Sequence, residues 1–126
     1  MKLKFIIFFF LTIFLLVSCR EWMIKPVHIS SVDIAENINL GQSIIFRMGC
    51  ATPDPCHHFS HVEVRHDNFD LWVKVYAKRD PKVYCVQILG SFEAQDRFEP
   101  KIRGTYQFHF WQEFDSRYLD KAVIVK

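Results

Sequence analysis

The sequence predicts an all-β protein, a β-sandwich that follows a cleaved N-terminal signal helix. Three observations predict it. From residue 27 onward, short runs of alternating apolar and polar residues follow one another, the pattern of strands with one face buried. Turn-forming residues punctuate those runs at short intervals. No stretch beyond residue 26 repeats its apolar residues at the 3.6-residue spacing of a capped helix.

The leader comes first. Residues 1–18 open on Lys2 and Lys4, and residues 5–17 are apolar except for Thr12. Ser18 then precedes Cys19. A positive start, an apolar core and a small closing residue mark a secretory signal. The run is also shorter than the roughly 20 apolar residues that a membrane-spanning helix needs. The stretch Leu16-Val17-Ser18-Cys19 resembles the lipobox of bacterial lipoproteins. The resemblance implies a diacylglyceryl group on Cys19, with chains such as palmitate, cleavage before that residue, and acylation of the new amino terminus. It implies a lipid-anchored protein of the bacterial cell envelope, at the outer membrane or the periplasmic face, with the bilayer as partner through acylated Cys19.

The expected domains are therefore a signal peptide (1–18), a lipidated tether (19–26) and a β-sandwich domain (27–126). Residues 20–26 extend to at most about 25 Å, which holds the domain close to the bilayer. Trp22, Met23 and Ile24 either rest among headgroups, where Trp is favoured, or pack on the domain. Loss of Lys2 and Lys4 leaves basic and acidic residues in balance, so the mature chain has no clustered basic excess of the kind a nucleic-acid surface requires.

Taken in order, residues 27–34 form the first predicted strand. A polar turn through Asn39-Leu40-Gly41 leads to 42–48, with Ile44, Phe46 and Met48 on one face. Residues 49–55 are a loop carrying Pro53 and Pro55, and 57–65 is the third strand. His66-Asp67-Asn68 is a hairpin turn, since Asn and Asp tolerate left-handed backbone. Residues 69–78 alternate most clearly: Phe69, Leu71, Val73, Val75 and Ala77 face one way, and Asp70, Trp72, Lys74, Tyr76 and Lys78 the other. After the turn Arg79-Asp80-Pro81-Lys82, residues 83–89 form the fifth strand. Residues 90–103 are a polar connection with at most one helical turn in 91–98. The sixth strand, 104–112, places Tyr106, Phe108 and Phe110 on one face; 114–117 turns, and 118–125 closes the chain.

Seven short strands in about 100 residues predict an immunoglobulin/fibronectin-III-like sandwich, with a small barrel as the alternative. Gly104-Thr105-Tyr106 fits it: a Tyr opening the sixth strand is where a tyrosine corner belongs.

With Cys19 committed to lipid, Cys50, Cys56 and Cys85 remain, and an exported chain meets an oxidising compartment. A Cys56–Cys85 disulfide is the expected bridge; Cys50–Cys85 is the alternative, and the Pro-rich loop also leaves Cys50–Cys56 open. The pattern Gly49-x-x-x-Pro53-x-Pro55-Cys56, a distant Cys85, then Gly104-Thr105-Tyr106 resembles small immunoglobulin-like bacterial lipoproteins of unassigned function. That resemblance implies a fold and a disulfide, and no activity.

Two clusters are candidate sites. Cys50, Cys56, His57, His58 and His61 hold metal-ligating or redox groups. On a strand, however, His57 and His61 lie about 13 Å apart and cannot share one ion, so no metal or cofactor is assigned and this cluster stands as the alternative. The second is a face of Trp72, Tyr76, His109 and Trp111, aromatic residues interleaved with Lys74 and Lys78. Trp and Tyr are common interface anchors, and flat rings stack on sugars. No nucleophile elbow, zinc-protease, P-loop or dinucleotide motif is present. The expectation is a non-catalytic interaction domain that binds an envelope protein, a peptide or a glycan, or an accessory protein of purely structural value.

Overall fold

The computed structural model describes residues 22–113 and 117–126. The expected signal peptide, Cys19 and most of the turn expected at 114–117 lie outside the described residues. Those described form eight strands and no helix: β1 (Met23–Ile34), β2 (Asn37–Ile38), β3 (Ile44–Thr52), β4 (His58–Asp67), β5 (Asp70–Arg79), β6 (Gly90–Phe98), β7 (Gly104–Glu113) and β8 (Arg117–Val125). Among them no helix is long and apolar enough to cross a membrane.

The strands make one curled sheet whose halves face each other. One layer runs β4, β5, β7, β8, β2; the other is β3 and β6. β1 joins the two. Its residues 23–27 pair with β5 and residues 28–34 pair with β3, with a register shift between Ile29 and Ser31 inside the second pairing. The strand thus begins at Met23, four residues before the expected start, and takes residues 23–26 of the expected tether into the sheet. Two pairings are parallel, β5 with β7 and β2 with β8; the remaining pairs are antiparallel.

Period-two alternation builds the core. In β3, Ile44, Phe46, Met48 and Cys50 point inward; in β5, Leu71, Val73, Val75 and Ala77; in β7, Tyr106, Phe108 and Phe110. The rings of Phe46, Phe108 and Phe110 meet at 5.5–6.0 Å. Each such buried side chain contributes about 1.5–3 kcal/mol relative to an exposed one. At the β4–β5 turn, Asn68 takes φ 53°, as the hairpin chemistry predicts. The Tyr106 hydroxyl donates to the Ile102 carbonyl at 2.7 Å, the bond expected of a tyrosine corner.

The strand expected at 83–89 does not form, and β6 arises where a connection was expected. The cause is edge availability. β4 occupies one edge of β5, while β1 and β7 share the other, so 83–89 finds no free edge on the strand it follows. β3 has a free edge, and residues 90–98 fill it in unbroken register from Thr52↔Gly90 to Ile44↔Phe98. Gly90 is required there. A Cβ would come within 2.5 Å of Thr52 Oγ1 and 2.6 Å of the Asp54 carbonyl.

Candidate functional site

The outer face of the β4–β5–β7–β8 layer carries a continuous row of side chains, one from each strand. Strand register sets it: Arg65 lies opposite Trp72, Trp72 opposite His109, and His109 opposite Asp120. The Arg65 guanidinium sits 4.5 Å from the Trp72 ring centroid, a cation–π contact. The Trp72 and His109 rings stack at 5.3 Å. His109 Nδ1 donates to Asp120 Oδ1 at 2.7 Å and Nε2 to Asp70 Oδ1 at 2.9 Å. Tyr118 sets its ring edge-on to His109 at 6.3 Å.

Ionised carboxylates only accept hydrogen bonds, so both imidazole nitrogens are satisfied only when both carry protons. The geometry therefore favours the imidazolium form of His109. Partial burial opposes that charge, but the hydrogen bonds and charges of Asp70 and Asp120 outweigh it and raise the His109 pKa above the ordinary 6.5. The carboxylates stay open, with Asp70 47% and Asp120 63% exposed. The row thus offers solvent a cation, a flat aromatic surface and two carboxylates. These suit recognition by stacking and hydrogen bonding.

Of the four expected face residues, Trp72 and His109 touch. Tyr76 lies further along β5, stacked on His61 at 4.6 Å with planes 4° apart. Burial, with Glu63 beside it, raises its phenol pKa. Trp111 stands apart. It lines a recess of about 330 Å³ with Pro26, Val27, Pro53 and Leu89, and its Nε1 is buried without a hydrogen-bond partner. Arg65, Asp70, Asp120 and Tyr118 were missed. The first was legible in principle, because the hairpin turn at Asn68 fixes Arg65 opposite Trp72. The parallel β5–β7 pairing that brings Asp70 to His109 leaves no local signal.

The Cys/His cluster is dispersed. Cys56 and Cys85 form a disulfide. Cys50 is buried in the core, which pushes its thiol up to about 12, so it carries almost no thiolate at neutral pH. His61 stacks on Tyr76. His57 Nδ1 donates to Asp54 Oδ1 at 2.8 Å; the same oxygen accepts from the Cys56 N–H at 2.9 Å, and Arg79 Nε lies 3.3 Å from Oδ2 without hydrogen-bond alignment. Burial pushes the Asp54 pKa up, but these partners outweigh it and hold it below the usual carboxylate value. Asp54, Cys56 and Cys85 do bring possible ligand atoms within 4.8 Å of one another. The two sulfurs are bonded to each other, however, and are not thiolate ligands. Asp54 is a clasp for the disulfide loop.

A search of curated proteins and of solved structures finds no match. A family model described as ORF11 beta-sandwich domain matches residues 47–115, just over half of the 126-residue chain. The matched span runs from β3 to the end of β7 and includes the disulfide and the Arg65, Trp72 and His109 part of the row, with Asp120 just beyond it. The chain belongs to the ORF11 β-sandwich domain family.

Proposed function

We propose that this chain is the precursor of a lipid-anchored cell-envelope protein whose β-sandwich is a non-catalytic binding domain. Anchoring rests on the leader and on Cys19 as its acyl acceptor. Binding rests on one observation: four strands place Arg65, Trp72, His109 and Asp120 side by side on an outer face, in direct contact and partly open to solvent. Its buried cysteine is inert and both ring nitrogens of its His109 group are engaged by carboxylates, so the chemistry favours recognition over turnover. An immunoglobulin- or fibronectin-III-like lineage is supported by the tyrosine corner and the strand-rich chain, while the parallel β5–β7 pairing departs from it.

The partner is an envelope protein, peptide or glycan that presents a flat or hydrogen-bonding surface. Crosslinking capture from native membranes tests this, with wild type set beside Trp72→Ala and His109→Ala. Capture should fall at least tenfold in each while the melting temperature stays within a few degrees. Wild-type levels of captured partner in both variants would refute the site. Mass spectrometry of the Cys19 peptide tests the anchor independently; an unmodified thiol there would refute it.

A further inference from the structure

The expected fifth strand is instead an exposed apolar loop, and its position gives it a role. Val83, Tyr84, Val86, Ile88 and Leu89 are all exposed, Tyr84 by 93% and Leu89 by 84%. Between them Cys85 is 4% exposed and is tied to Cys56. The loop therefore gains little stability from burial. The disulfide fastens its middle and leaves the flanking apolar side chains pointing outward.

This loop lies at the end of the sandwich where the chain enters. Met23 pairs with Arg79, four residues before it, and Gly90, immediately after it, pairs with Thr52. Leu89 shares a recess with Pro26 and Val27 of β1. Trp22 and Ile24 are exposed at this same end. Lys25, Lys78 and Lys82 are exposed around it, and the Lys78 ammonium lies 5.6 Å from the Trp22 ring. Trp22 is three residues from Cys19, a reach of at most about 10 Å. Exposed Trp and aliphatic side chains ringed by lysines match the interfacial zone of a bilayer with anionic headgroups. The β4–β5 turn, nine residue steps along β5, is about 30 Å away.

We infer that residues 83–89, with Trp22 and Ile24, form a second membrane contact that enters the surface of an anionic phospholipid bilayer beside the anchor. It rests on the proposal that the N-terminus is at a membrane. The contact turns a swinging tether into a two-point attachment, and it directs the opposite end of the sandwich away from the bilayer.

The test uses the exported full chain in vesicles of phosphatidylethanolamine and phosphatidylglycerol that contain a phospholipid with a diazirine in its acyl chain. After irradiation and digestion, adducts are mapped by mass spectrometry. Phe69 and Ile102, also exposed but at the far end, are the internal control. Adducts on the 83–89 peptide should exceed those on the Ile102 peptide at least tenfold, and Tyr84→Asp with Leu89→Asp should abolish that excess while the disulfide remains. Equal labelling of both ends overturns the inference, as does crosslinking of the loop to a second copy in place of lipid. The acyl mass on the Cys19 peptide is read from the same digest. A lipidated Cys19 with an unlabelled loop defeats this inference alone, and an unlipidated Cys19 defeats the anchor alone.

Discussion

The Cys56–Cys85 bridge allows a quantitative test of how this sandwich is held. The two residues are separated by 29 positions, and the closed loop contains all of β4 and β5. On the chain-entropy model, closing a loop of that length removes about 12 cal/mol/K from the unfolded chain, or about 3.6 kcal/mol at 25 °C. Cys56→Ala with Cys85→Ala should destabilise the protein by that amount and lower its melting temperature by roughly 15–20 °C. Little folded-state packing is lost with the bridge, because the residues flanking Cys85 are exposed. The effect should therefore appear mainly in the unfolded state. Urea unfolding reads both signatures: a lower midpoint, and a steeper dependence on urea because the uncrosslinked chain expands further. Cys50 stays buried and offers no replacement partner. A loss below about 1 kcal/mol with an unchanged slope would refute the chain-entropy reasoning and leave Asp54, His57 and Arg79 as the groups that hold the loop.

Two further outcomes follow from local geometry. Gly104 has φ +152°, and a Cβ there would lie 2.6 Å from Phe69 Cε1. Gly104→Ala should cost about 1–3 kcal/mol in urea unfolding, and adding Phe69→Ala should recover the steric part and leave the backbone part. For His109, the folded pKa is raised, so its contribution to stability is complete below the ordinary value of 6.5 and is lost as pH rises through the folded value. The groups facing it are Asp70 and Trp72 from β5 and Asp120 and Tyr118 from β8. NMR titration of the ring should place its midpoint above 6.5 in the wild type, and lower in Asp70→Asn with Asp120→Asn, where burial acts without compensation. A midpoint that the double variant leaves unmoved would show that the carboxylates do not set it.

What could be read from the sequence was local. The faces of β5 and β7 were legible because each alternates without interruption, and alternation alone puts Leu71 and Phe108 inside and Trp72 and His109 outside. The Asn68 turn and the Tyr106 hydrogen bond were legible because each is made within a few residues. The 83–89 stretch misled because β-branched and aromatic residues signal a strand only if an edge exists to receive them. Both edges of β5, the strand it follows, are already filled, whereas the more polar 90–98 has the free edge of β3. The division of β1 between two layers and the parallel β5–β7 contact are long-range facts. They decide that Asp70 meets His109, and no spacing in the chain records them.

The same long-range contact ties the candidate site to the core. Successive residues of a strand point to opposite faces, so a one-residue slip between β5 and β7 would separate Trp72 from His109 and misalign Leu71 and Val73 with Phe108 and Phe110. These four apolar residues are fully buried, and their packing penalises every alternative register. The row thus needs no stabilisation of its own to stay aligned, because the core that excludes water on one side of the sheet fixes its spacing on the other. This is why Trp72 and His109 can remain partly exposed and still be ordered. It also separates them from Trp111, which has the right alternation but sits beyond the paired residues of β7 and β5 and lines a recess with residues of β1 and Leu89 instead. Substitution of Trp111 therefore belongs with changes to the β1 end of the sandwich, and Trp72 and His109 are the positions at which the proposed binding is separable from folding.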